Sequence, residues 1–244
     1  MMIALFGLIG CSCGNGIDTD SASVNFVTPK GENLKVFCVF HGSIAFEYDG
    51  KVIHVDPVTS MGEKKIDYSA FGKADAIFIT HGHHDHLCPE AVDYLTGSGT
   101  ILYANAESVT AIGKGIVLEN GDTGELFEGV KYTAVPAYNT TEGREVFHPK
   151  GNGNGYVFEF DDFRVYVAGD TEPIDAMKNL GKIDLAFLAV NQPYTMTVGQ
   201  CVEVANDIRP NTLIPYHYSD TDLSNLPSIL EESGIEVKLF ESLR

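Results

Sequence analysis

Hydrophobic positions recur along this chain with two periods. Short runs of β-branched and aromatic residues, broken by Gly, Pro and Asp, predict strands at Val24–Thr28, Leu34–Phe40, Ile44–Glu47 and Val52–Val55. Ala76–Ile79 is apolar at every position, the pattern of a strand covered on both faces. Further strands are expected at Ile101–Tyr103, Lys131–Val135, Tyr156–Phe160, Arg164–Val167, Leu185–Leu188, Thr212–Ile214 and Glu236–Phe240. Asp161-Asp162, set between Phe160 and Phe163, is a two-residue hairpin signal. Helices are predicted over Pro89–Leu95, Pro173–Leu180, Val198–Ile208 and Leu223–Glu232. In the third, Val198, Cys201, Val202, Ala205 and Ile208 make one apolar stripe, which puts Cys201 on a core face. Many strands with interspersed helices and no Pro-rich linker imply one domain over residues 22–244, sheet on sheet with helices outside.

The first ten residues, MMIALFGLIG, carry no charge and are too few to span a bilayer, which takes roughly 20. Leu8-Ile9-Gly10-Cys11 resembles a bacterial lipobox, although a basic segment before it is missing. Residues 1–21 are therefore expected to be a lipoprotein signal and polar tether. The protein would sit at the bacterial cell envelope, touching membrane only through a lipid on Cys11. The competing reading is a buried first strand in a cytoplasmic protein.

Composition narrows the function classes. With 44% apolar residues in a chain of 244, a packed core is assured and wholesale disorder excluded. The 16 basic against 34 acidic residues give a net charge of −18, the wrong sign for a nucleic-acid partner. Five cysteines are too sparse for a disulfide framework. Cys38, Cys88 and Cys201 read as small buried hydrophobes.

One segment carries the chemistry. Thr80-His81-Gly82-His83-His84-Asp85-His86-Leu87 follows the apolar Ala76–Ile79 run directly, with four imidazoles and a carboxylate inside six residues. Such groups are costly to bury unpaired, whereas a metal ion satisfies them together. Imidazole with carboxylate suits zinc, with manganese or iron(II) as alternatives. In a turn, His81 and His83 can project to one position while Asp85 and His86 point to a second.

HGHHDH resembles the HxHxDH signature of the metallo-β-lactamase superfamily, and later landmarks arrive in that family's order. They are Val55-Asp56-Pro57, then Gly169-Asp170-Thr171 at a strand end, then Pro215-Tyr216-His217-Tyr218. Ala137-Tyr138-Asn139, Phe147-His148-Pro149-Lys150-Gly151 and Gly155-Tyr156 resemble the branch that contains ascorbate-6-phosphate lactonase. The likeness spans about residues 34 to 240 and implies an α/β fold, a four-layer αββα sandwich with its metals at one sheet edge. It assigns His81 and His83 to a first divalent ion and Asp85, His86 and His217 to a second, bridged by Asp170. The family's usual third ligand of the first ion falls where this chain has Asn139, so His148 is expected to complete the set, with Asn139 an outer or weak ligand. His84 is a non-ligand position. His41 faces either the groove or the core, His54 is structural, and Asp56 would fix the motif loop.

Two ions, zinc foremost, imply a metal-activated water as the attacking nucleophile. Asp85 and Asp170 then carry the catalysis, with Asp85 or Tyr194 as donor to the leaving group. The expected activity is hydrolysis of a small ester, lactone or phosphoester. One alternative is a phosphodiesterase or nuclease, which would need Arg144, Lys150 and Arg164 to converge at the groove mouth. Others are a redox di-iron protein, disfavoured because His83 stands where such relatives place Glu, and a non-enzymatic metal-binding envelope lipoprotein. The family name does not fix a substrate.

Overall fold

Strand β7 (Ala76–Ile79) is buried at all four positions because it lies between two hydrophobic layers. Ala76 and Phe78 face the central core, and Ile77 and Ile79 face a second cluster with Ala91, Val92 and Leu95. Those three belong to helix α1 (Pro89–Leu95), which opens on a proline whose missing N–H costs the first turn nothing. The structure, a computed structural model, describes residues 22–244. The lipobox-like segment, Cys11 and Cys13 lie outside the described residues.

Two seven-stranded sheets are built in the same way, antiparallel first and parallel afterwards. The first runs β1 (Ser23–Val27), β2 (Asn33–Phe40), β3 (Ser43–Tyr48), β4 (Lys51–Val55), β7, β8 (Ile101–Ala104) and β9 (Ile116–Val117). β1 to β4 alternate in direction, and β4, β7, β8 and β9 run parallel. The second runs β10 (Thr123–Phe127), β11 (Val130–Ala137), β12 (Gly153–Phe160), β13 (Phe163–Val167), β14 (Leu185–Ala189), β15 (Thr212–Tyr216) and β16 (Glu236–Val237). Here β13 to β16 are the parallel strands. A small hairpin, β5 (Ser60–Met61) with β6 (Lys64–Lys65), projects from the first sheet's loops.

An aromatic layer joins the sheets. Phe78 of the first meets Tyr156 and Phe158 of the second at 5.0 and 4.9 Å between ring centroids, and Phe46 meets Phe158 at 5.4 Å. Burying each such side chain is worth roughly 1.5–3 kcal/mol. Helix α2 (Ala106–Ile112) belongs to the first half of the chain, and α3 (Val198–Ile208) and α4 (Leu226–Glu231) belong to the second. The arrangement is the expected αββα sandwich. Among the described residues no helix is long and apolar enough to cross a membrane.

The β12–β13 turn forms at Asp161-Asp162 as predicted, with both residues at positive φ, the geometry that matches strand twist. Helix α3 takes its predicted bounds, closed by a capping box between Thr197 and Gln200, with Val204 added to the buried stripe. Three of the predicted elements come out shorter or of another type. The helix expected over Pro173–Leu180 is a 3-10 turn at Asp175–Asn179, because Ile174 is still extended and leaves too little chain for an α-helix. The strand expected over Glu236–Phe240 pairs only at Glu236 and Val237, on a sheet edge. The last helix shortens from Leu223–Glu232 to α4.

Candidate metal centre

The histidine motif leaves the end of β7 between two parallel neighbours, so strands on both sides fix where it starts. Asp56, fully buried after β4, anchors the departure. Its carboxylate accepts from Thr80 N at 2.7 Å, from the Thr80 hydroxyl at 2.6 Å and from His86 Nδ1 at 2.7 Å. The Thr80 hydroxyl, having donated to Asp56, receives His81 Nδ1 at 3.0 Å. That chain puts the His81 proton on Nδ1 and aims the Nε2 lone pair into the site.

Four other loops reach the same place. His148 lies between β11 and β12, with Nδ1 3.1 Å from the carbonyl of Tyr194. A carbonyl only accepts, so Nδ1 carries the proton and Nε2 presents a lone pair. Asp170 follows β13, and His217 follows β15. His41 sits in the β2–β3 turn with Nδ1 3.3 Å from the Arg244 carbonyl, which again leaves Nε2 facing inward. His41, Asp56 and His217 all take left-handed φ of 47 to 51°, which non-glycine residues rarely adopt and which concentrates strain at the site.

These side chains fall into groups that share members. His83 Nδ1 lies 3.0 Å from His81 Nε2 and 3.2 Å from His148 Nε2. One proton on His83 cannot point at both, and the other contact is lone pair against lone pair unless a cation stands between. His217 Nε2 and His41 Nε2 approach Asp85 Oδ2 at 3.3 and 3.5 Å. Asp170 lies between these groups: its Oδ2 is 3.2 Å from His148 Nε2 and 3.5 Å from His217 Nε2, and its Oδ1 is 3.4 Å from His86 Nε2. Both His86 Nε2 and Asp170 Oδ1 are buried without a hydrogen-bond partner. Orphaned polar atoms of this kind, in an imidazole and carboxylate donor set, fit a divalent cation such as zinc. Gly42 leaves room for the arrangement, since a Cβ there would stand 2.7 Å from His86 Cε1.

The electrostatics agree. Burial, reinforced by His86 nearby, pushes His81 well below the ordinary imidazole range, and burial with His148 lowers His83. Burial also lowers His41. For Asp170 burial acts upward, but His217 and His86 outweigh it and hold the carboxyl well below its usual range. Asp85 is likewise held low, against burial, by hydrogen bonds with His217 and His41. An Asp85 kept ionised is suited to ligation and not to proton donation. His86 is the exception: burial pulls it down, yet Asp170 and Asp56 on either side pull it well above 6.5. The position attracts positive charge, whether proton or metal ion.

The structure thus brings together all seven residues singled out as ligands, His81, His83, Asp85, His86, His148, Asp170 and His217. It adds His41 on the Asp85 side. The sequence left His41 facing either the groove or the core, and nothing in it encodes the left-handed φ that points this ring inward. Asn139 is buried, with Nδ2 donating to the carbonyls of Tyr194 and Arg144 at 2.8 and 3.2 Å, so its amide nitrogen holds backbone. His84 is exposed, and His54 is buried edge-on to Phe71 and Tyr68. Cys38 and Cys201 are buried as expected, whereas Cys88 is only half-buried, its sulfur 3.4 Å from the Thr59 hydroxyl.

A cleft of about 410 Å³ opens over the cluster, walled by Met61, Phe147 and Tyr194, with Asn191 and Ser219 beside His217. No Lys or Arg lines it among the described residues. Arg144 is paired with Glu172 and Gln192, Lys150 lies over the Tyr138 ring, and Arg164 binds the carbonyls of Leu180 and Lys182. The convergence of these three cations that a nuclease would need does not occur.

Comparison with known proteins follows the same line. Residues 36–217 match the model of the β-lactamase superfamily domain. A UPF0173 metal-dependent hydrolase of Methanopyrus kandleri is 29% identical over 221 residues, covering 84% of this chain and 95% of the relative. Another from Bacillus cereus is 32% identical over 198 residues, covering 76% and 86%. Among solved structures, a Parabacteroides distasonis protein assigned as a metal-dependent hydrolase is 48% identical, with a TM-score of 0.85 over 90% of this chain and 98% of that one. A metallo hydrolase of Ignicoccus hospitalis, 24% identical, shares the fold with a TM-score of 0.71 over 86% and 96%.

Proposed function

The chain belongs to the metallo-β-lactamase superfamily as a metal-dependent hydrolase, and from that premise we propose that it uses two divalent ions, zinc foremost, to hydrolyse a small ester, lactone or phosphoester. The observation that carries this reading is the position of Asp170 Oδ2, within 3.5 Å of imidazole nitrogens from both sides of the site. His81, His83 and His148 would hold one ion, and Asp85, His86, His217 and His41 surround the place of the other, with Asp170 shared. When bound, such ions supply Lewis acidity and acidify water toward neutral pH.

The chain's own residues do the rest. Asp56, Thr80 and the Tyr194 carbonyl fix the imidazole tautomers, so that lone pairs, not N–H groups, face inward. Phe147 and Tyr194, edge to face at 5.0 Å, offer an apolar wall for the part of the substrate next to the scissile bond. The Tyr194 phenol, exposed at the cleft, would be the proton donor to the leaving group in this reading. A cleft without cationic side chains and a charge of −18 support a small substrate over a nucleic acid.

The test is calorimetric titration of the metal-stripped protein with zinc and with manganese, followed by a panel of lactones, carboxylic esters and phosphodiesters. Two equivalents bound and turnover of at least one small substrate are expected, both lost in Asp170→Asn. A fully loaded protein that turns over none of the three classes would sink the hydrolase assignment to these substrates.

A further inference from the structure

Glu172 is a carboxylate with no solvent exposure, two residues beyond Asp170, and none of the roles above uses it. It is spent entirely on one loop. Its Oε2 accepts from Thr140 N at 2.8 Å and Thr141 N at 2.6 Å, and its Oε1 accepts from the Thr141 hydroxyl at 2.8 Å and Arg144 Nη1 at 3.3 Å. Its own N–H donates to the Tyr138 carbonyl at 3.1 Å, and the Thr171 hydroxyl lies 2.9 Å from the same carbonyl. Donors from three residues of the loop, Thr140, Thr141 and Arg144, converge on one buried carboxylate and define a single loop conformation, because charge-assisted bonds are strong and directional.

That loop continues into the site. The Arg144 carbonyl receives Phe147 N at 3.0 Å and Asn139 Nδ2 at 3.2 Å, and Asn139 N donates to the His148 carbonyl at 2.9 Å. Residues 139 to 148 are thus closed into a ring whose far end delivers Phe147 to the cleft wall and His148 to the His81–His83 side. Asn139, at the start of the ring, gives its amide nitrogen to backbone carbonyls, and the imidazole that reaches His83 and Asp170 stands nine residues further on, at His148. A loop of that length needs an internal anchor to present one side chain reproducibly, and Glu172 is attached to the same strand end as Asp170.

We propose that Glu172 is a positioning residue that fixes His148, and with it the metal affinity of the His81–His83–His148 side, by templating the 139–148 loop. This rests on the two-ion reading above. Two measurements separate the failure of either. The first is hydrogen exchange of the metal-stripped protein, which needs no ion. In Glu172→Ala, protection is expected to fall within residues 139–148 and to stay unchanged in β11, β12 and α3. Unchanged loop protection, or loss spread through the core strands, overturns the inference whatever the metal does. The second is calorimetric zinc titration of the intact protein. Glu172→Ala should weaken one of two equivalents by about 10–100-fold, the usual effect of losing an outer partner of a ligand, while the other stays within threefold. Glu172→Gln, which keeps an acceptor oxygen, should fall between wild type and Ala. Equal weakening of both equivalents, or of neither, counts against Glu172. Failure of the wild-type protein itself to bind two equivalents counts against the two-ion reading alone, and the exchange result then decides the inference.

Discussion

His54 shows how one side chain can be histidine without serving the site. It points away from the ligands into a ring cluster with Phe71 and Tyr68, and its Nε2 has no partner. Burial drives its pKa down to about 3. In the unfolded chain the same group titrates near 6.5, so below that pH the unfolded state binds a proton that the folded state refuses. The stability His54 permits is therefore complete above pH 6.5 and declines as the pH falls toward 3. His54→Phe should remove this component: between pH 7 and 4.5 the variant's unfolding free energy should drop by about 2–3 kcal/mol less than that of wild type, measured by urea unfolding at each pH. Parallel losses in the two proteins would show that the ring is not buried neutral. At this scale the sequence was informative where chemistry is dense and silent where backbone decides. The residues of the HGHHDH run and His148 that converge in the candidate site could be named from residue type, order and the family resemblance. His41 could not be assigned, because its role depends on a left-handed turn against the Arg244 carbonyl, far away in the chain.

Among the elements, β7 is the clearest case of pattern becoming structure: four apolar residues in a row bury both faces and deliver the motif at a defined height. Ile77 belongs to the outer cluster with α1, on the opposite side of the strand from the aromatic layer. Ile77→Ala should cost about 2–5 kcal/mol in denaturant unfolding and leave zinc affinity of the folded protein within threefold. A large affinity loss would mean that the strand's outer packing also sets the position of His81. Strands and helices with strong periodicity, such as α3, were legible to the residue. The elements that escaped were short or exposed. β9 is two exposed residues, β10 is an edge strand with a bulge, and α2 buries only Ser108. Such elements are held by a neighbour or a cap, here Asn105 at 3.0 Å from Ser108 N and Gly113 at positive φ, and not by an apolar face of their own. The 3-10 turn after Pro173 was misread for the same reason, since its apolar residues anchor a loop without helical continuity.

For the whole molecule, the candidate ligands are divided between the sheets. His41 and the 81–86 run leave the first sheet, while His148, Asp170 and His217 leave the second. An ion held at Asp170 therefore ties the two layers together, and its binding energy is available only to the folded state. Stripping the metal should lower Tm by several degrees and restore it on adding back zinc, whereas Asp170→Asn should melt at the same temperature with or without zinc, by differential scanning fluorimetry. An unchanged wild-type Tm would mean that the ions contribute nothing to holding the layers. The division has a consequence for synthesis. A chain still emerging from the ribosome can expose the whole HGHHDH run long before residue 217 appears, but it holds only half of a chelating cage. Secure metal capture would have to wait until β15 has docked and delivered His217, so a loaded centre would certify that the chain has been made and folded at least to that residue.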